Sequence, residues 1–221
     1  MFPENPWIPY RLERVDLSHN LLPVLTFDIT FGTKKLKSLN LSNNAINDIR
    51  KYVSGNLTAL EVLDLSNNRL QALDDPEAPF NLPKNLTHLY LQNNELSTIN
   101  YTKITLLENI QEINLANNQL MHLNKTLIDA IKKGISVHFM GNPLICNCEI
   151  QSLKHFLVGQ ESPPEQYSQL VCKAPRHLLD TTLNDVEDRQ LSCSEAEKSN
   201  IKKFNHEYQI LPDIRLRDIF L

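Results

Sequence analysis

An eleven-residue pattern, LxxLxLxxNxL, recurs along this chain. It reads LERVDLSHNLL (Leu12–Leu22), LKSLNLSNNAI (Leu36–Ile46) and LEVLDLSNNRL (Leu60–Leu70). Two further copies are LTHLYLQNNEL (Leu86–Leu96) and IQEINLANNQL (Ile110–Leu120), and a degenerate one, GISVHFMGNPL, closes the series at Gly134–Leu144. The pattern asparagines fall at Asn20, Asn44, Asn68, Asn94, Asn118 and Asn142, in steps of 24, 24, 26, 24 and 24. A fixed period of this length is the mark of one supersecondary unit stacked on itself.

The residue types explain the stack. In LxLxxN the alternating apolar residues, Leu63 and Leu65 for example, point inward from a short parallel strand. The chain then turns sharply and leaves backbone groups without a ladder partner. An asparagine amide carries donors and an acceptor and can satisfy them, so the six asparagines are expected to form a ladder. Apolar residues in the back half of each repeat, such as Leu123, Ile128 and Ile131, complete a layer that only a neighbouring repeat can bury. The third repeat is two residues longer and carries DDPEAPFNLPKN (Asp74–Asn85), read as an altered loop on the far side.

A stack has open ends, and the four cysteines all follow the last repeat, at Cys146, Cys148, Cys172 and Cys193. Ile150, Leu153 and Leu157 fall at helical spacing between them. Cys-x-Cys fits poorly with structural zinc, whose ligand pairs are usually separated by two to four residues. No metal or cofactor is expected. Spacing alone permits three disulfide pairings.

Together the repeats and the cysteine-rich segment resemble the extracellular leucine-rich repeat family, over roughly residues 12–144 for the repeats. Toll-type receptors and other secreted or cell-surface ectodomains share these parts. The resemblance implies an α/β fold: a curved solenoid with short parallel strands on its concave face, an irregular convex side and a disulfide-linked C-terminal cap. It also implies the pairings Cys146–Cys172 and Cys148–Cys193. The chain departs from the family at Leu144 and Phe156, where Trp is common, and at Asn147, where Asp is. The expected organisation is an edge without a cysteine cap (1–11), six repeats (12–144), the cap (145–193) and a tail or linker (194–221). Trp7, Ile8 and Tyr10 could plug the first edge, but the absence of an N-terminal cysteine cap favours the C-terminal part of a longer ectodomain.

Disulfides imply an oxidising compartment, hence an extracellular protein whose leader lies outside this sequence. The opening MFPENPWIPY has neither a basic nor an apolar signal region. No apolar run approaches the ~20 residues of a membrane-spanning helix, so any membrane contact would come through a segment absent from this sequence. A formal net charge of −4 is too mild for a nucleic-acid surface.

Ligands of such solenoids often lie on the concave sheet. The solvent-side columns contain Arg14, Asp16, Val62, Asp64, His88, Tyr90, Glu112, Asn114 and His138 as candidate binding residues. Val62, His88 and Tyr90 stand out as an apolar residue beside two rings on adjacent strands, a composition favoured at interface centres. Five sequons, at Asn40, Asn56, Asn85, Asn100 and Asn124, are candidate glycosylation sites. Asn40 alone is expected on the concave face, where a glycan would shield part of it. The histidines are scattered, and no HExxH, G-x-S-x-G or phosphate loop occurs. His88 and His138 stand two strands apart, roughly 10 Å, too far for shared proton chemistry. The expected function is recognition of a protein ligand or co-receptor, as a receptor or secreted immune-type protein, with homo- or heterodimers allowed. A cell-adhesion or matrix protein is the alternative, and an enzyme a distant third.

Overall fold

The computed structural model describes residues 11–26, 33–49, 57–73, 82–99, 104, 107–161 and 164–193. The chain divides into two units, Met1–Leu191 and Ser192–Leu221. Of the second, only Ser192 and Cys193 are described, both outside helices and strands. Trp7, Ile8, Tyr10, Asn56, Asn100, most of the 74–85 loop and the tail 194–221 lie outside the described residues.

The strands are β1 (Arg14–Asp16), β2 (Val24–Leu25), β3 (Ser38–Asn40), β4 (Asp48–Ile49), β5 (Val62–Asp64), β6 (His88–Tyr90), β7 (Glu112–Asn114), β8 (Ser136–His138), β9 (Leu144–Ile145) and β10 (Cys172–Ala174). Six of them form one sheet in the order β1-β3-β5-β6-β7-β8, every pair parallel. The register aligns equivalent repeat positions: Asn40 faces Asp64, Asp64 faces Tyr90, and Tyr90 faces Asn114. The central residue of each strand points into the core, and Leu39, Leu63, Leu89, Ile113 and Val137 are all buried. Each such side chain contributes about 1.5–3 kcal/mol by leaving water. Past the turn the chain pairs again: β2 with β4, and Ala72 with Thr98.

Helix α1 (Lys125–Lys132) backs the fifth repeat, where an irregular convex side was expected. Two local features account for it. Asn124 caps the first turn, its side chain accepting the Leu127 N–H at 3.1 Å. Leu127, Ile128, Ala130 and Ile131 then form one buried face. The chain leaves the helix through Gly134, whose φ of +89° suits glycine.

Beyond β8 the cap closes the core. Helix α2 (Gln151–Val158) buries Leu153 and Leu157 and packs on α1. β9 and β10 pair in parallel, and a disulfide joins Cys146 to Cys172 with 5.5 Å between their Cα atoms. Cys148 and Cys193 are also in disulfide form, and no cysteine is free. Tyr167, buried, accepts the Val137 N–H of edge strand β8 on its hydroxyl at 3.2 Å.

Candidate binding face of the sheet

Three columns of polar side chains run across the stacked turns. The first is the asparagine ladder. Asn68 Nδ2 donates to Leu65 O, Ser66 O and Leu41 O, the last in the preceding repeat, at 3.0, 3.1 and 3.0 Å. Its Oδ1 accepts the Ile46 N–H of that same preceding repeat at 2.9 Å. Asn44, Asn94, Asn118 and Asn142 repeat the bridge, accepting from Leu22, Leu70, Leu96 and Leu120. Among the described residues Asn20 bonds to its own turn, at Leu17 O and Ser18 O.

A second column was not apparent from the pattern. The residue before each ladder asparagine is left-handed: His19, Asn43, Asn67, Asn93 and Asn117 have φ of 54–56°. Asparagine tolerates this conformation. The amides also chain together, with Asn93 Nδ2 donating to Asn67 Oδ1 and Asn117 Nδ2 to Asn93 Oδ1, each at 2.9 Å. The sixth repeat has Gly141 there instead (φ +73°), and a Cβ would lie 2.0 Å from Asn117 Oδ1.

The third column gives three of the candidate binding residues, Asp16, Asp64 and Asn114, a bond to their own turn as well. Asp16, Asn40, Asp64 and Asn114 each accept the backbone N–H two residues on, at 2.8, 3.0, 2.9 and 3.1 Å. These are Asx turns that end the strand. The carboxyl of Asp16 is held below its ordinary range, first by its hydrogen bonds with Ser18. Tyr90 and His138 occupy the same column with side chains that cannot make this bond. Gln92, two residues beyond Tyr90, has a buried Oε1 without a hydrogen-bond partner.

The side chains released from turn duty form a cluster. The rings of His88 and Tyr90 lie 6.2 Å apart, tilted by 39°. Burial pushes the Tyr90 phenol above its ordinary pKa, reinforced by the carboxylates of Glu112 and Asp64. On the other side Glu112 Oε1 stands 3.3 Å from His138 Nε2, which is 3.2 Å from Ser136 Oγ. Gln166 of the cap donates to Ser136 Oγ at 3.1 Å. A polar chain therefore runs from Glu112 through His138 and Ser136 to Gln166 of the cap. Thr87 Oγ1 donates to Glu61 O at 2.9 Å and contacts His88 Nδ1 at 2.9 Å. A hydroxyl has one proton, so with Thr87 donating to Glu61 O it is His88 Nδ1 that donates in that contact. Val62 is half-buried beside His88, in direct register. Arg14 and Asp16 lie exposed on β1, apart from this cluster.

The described sequons differ in what their amides do. Asn40 Oδ1 is tied to the Ser42 N–H, Asn85 Nδ2 donates to Thr58 O at 2.8 Å, and Asn124 Oδ1 caps α1. Among the described residues no group of three or more His, Cys, Asp or Glu side chains is placed to hold a metal ion.

Sequence comparison with known proteins finds the same repeat. Leucine-rich repeat models match residues 10–70, and again 59–82 and 85–105. Osteomodulin of Rattus norvegicus is 36% identical over 96 residues, covering 42% of this chain and 22% of the relative. Toll-like receptor 2 of Macaca mulatta is 29% identical over 195 residues, covering 85% of this chain and 22% of the receptor. The chain thus spans about a fifth of the length of these relatives. Human 5T4 (trophoblast glycoprotein) gives a TM-score of 0.47 at 20% identity, over 82% of this chain and 88% of that one. Oxidised cysteines fit an extracellular protein. Leucine-rich repeats are thus matched over residues 10–82 and 85–105, and the repeated strand and the asparagine bridge between repeats continue in the same form to Asn142.

Proposed function

We propose that this chain is an extracellular recognition module that binds a protein partner through the solvent face of its sheet, centred on Val62, His88 and Tyr90. The observation that carries the reading is the break in the third column. Where Asp16, Asn40, Asp64 and Asn114 spend their side chains on their own backbone, strand β6 presents two rings instead. Aromatic side chains offer large contact area at low entropic cost, and such residues dominate interface energetics. Within that function a receptor or secreted immune-type role draws on the likeness to Toll-like receptor 2, which extends over 85% of the chain. A matrix or adhesion role draws on the higher identity to osteomodulin over a shorter stretch.

The test is a binding screen of the full chain against purified extracellular proteins, repeated with the double variant His88→Ala/Tyr90→Ala. A control variant, Lys132→Ala/Lys133→Ala, alters exposed residues around the end of α1. Partners are expected to lose about ten-fold or more in affinity with the first variant and to keep it with the second. Equal affinity for the chain and the His88/Tyr90 variant, both folded by circular dichroism, would remove the reading.

A further inference from the structure

The environment of Tyr90 points to the chemistry of the partner. Asp64 lies in direct register with Tyr90 on β5, and Glu112 lies on β7 in register with His88. Adjacent strands are about 4.8 Å apart, so the ring is flanked by a carboxylate on each side. The segments 61–64, 87–90, 111–114 and 135–138 contain Glu61, Asp64 and Glu112 but no lysine or arginine. Glu112 already meets His138, yet a carboxylate has about four acceptor sites and retains capacity. The centre of the face therefore sets carboxylates around a π surface.

We propose that the Tyr90 face receives an arginine side chain of the partner protein, its guanidinium over the ring and its N–H groups directed to Asp64 and Glu112. This rests on the reading of the sheet face as the binding surface and specifies what it binds. Arginine suits the site better than lysine. Its planar fork of five donors stacks on aromatic faces while bonding carboxylates, and cation–π attraction adds to the ion pairs. Charge complementarity selects a basic segment over an acidic or purely apolar one.

The experiment is an NMR titration of the full chain, at physiological ionic strength, with hexa-arginine peptide and with the neutral isostere hexa-citrulline. Hexa-arginine is expected to shift the Tyr90, Asp64 and Glu112 signals saturably and to bind several-fold more tightly than hexa-citrulline. Asp64→Asn and Glu112→Gln should each weaken it about three-fold, and Tyr90→Ala about five-fold. Tyr90→Phe, which keeps the ring, should retain binding. Asp64→Asn is structurally conservative, because Asn40 and Asn114 already fill that column and make the same turn bond. Equal binding of the two peptides, shifts that bypass Tyr90, or an equal loss with Asp129→Asn on α1 would each overturn the proposal. The sheet-face reading is judged separately. Partners lost with His88→Ala/Tyr90→Ala but indifferent to Asp64→Asn and Glu112→Gln would leave that reading standing and remove the arginine.

Discussion

The interior repeats and the cap meet the same difficulty by different chemistry. An interior turn borrows its hydrogen-bond partners from the next coil: the Asn118 amide joins Leu91 O, Leu115 O and Ala116 O to the Leu96 N–H. One side chain, copied at the same place in each repeat, therefore suffices. Strand β8 ends the sheet order, and among the described residues no further coil pairs with it. There the Tyr167 hydroxyl takes the Val137 N–H, a disulfide fixes β9 beside β10, and Lys154 is buried against Val186 O and Asp188. Repetition makes closure generic; ending the repetition makes every solution particular.

The sharpest way to break the comparison is to remove one asparagine from the interior and one from the edge. Asn118→Ala strips partners from three carbonyls and one N–H in a buried turn, and is expected to cost on the order of 4 kcal/mol. Asn20→Ala removes bonds that are exposed and local, and should cost less than about 1 kcal/mol. Urea unfolding of both variants measures the contrast. Equal costs would mean that the bridge between repeats contributes nothing beyond the local turn.

The second comparison sets the staple against the stack. Cys146→Ser/Cys172→Ser opens a link across 26 positions of sequence, which is expected to cost about 3 kcal/mol. The loss should be local. Hydrogen exchange of amides that hold the cap together, such as Cys146 and Leu183, should quicken far more than that of Leu65 or Leu91 within the repeats. Uniform acceleration throughout would show that repeats and cap unfold as one cooperative unit.

The same contrast explains what could be read in advance. The period, the inward leucines and the ladder asparagines are written once per repeat, so the spacing alone exposes them. The Asx turns were equally periodic, at Asp16, Asn40, Asp64 and Asn114, and turn chemistry would have identified them. Read as surface residues alone, they hid the turn bond that each also makes to the backbone two residues on. The left-handed Asn-Asn steps hid behind the ladder, and the reason for Gly141 is the amide of Asn117 beside it. Cap contacts repeat nowhere. Tyr167 reaches Val137 across 30 positions and Lys154 reaches Asp188 across 34, and no local pattern encodes either. On α2 Lys154 reads as a surface lysine; only the fold turns it inward.

The smallest effect expected is a pH dependence that belongs to the cap alone. Asp188 accepts from Lys154 Nζ at 2.8 Å and lies 2.6 Å from His155 Nε2, and these bonds hold its carboxyl below the ordinary aspartate value. A depressed folded-state pKa means that the folded chain binds the proton less readily than the unfolded chain does. The stabilisation is therefore complete above the unfolded value, about pH 4, and is lost as pH falls through the folded one. Because Asp188 is open to solvent, the effect should also shrink with added salt. In thermal melts from pH 6 to pH 2 the difference in Tm between the chain and Asp188→Asn should narrow below about pH 4. A difference that stays constant over that range would mean that the Asp188 charge does not hold Lys154 in place. The buried lysine would then rest on the Val186 carbonyl, its other hydrogen-bond partner.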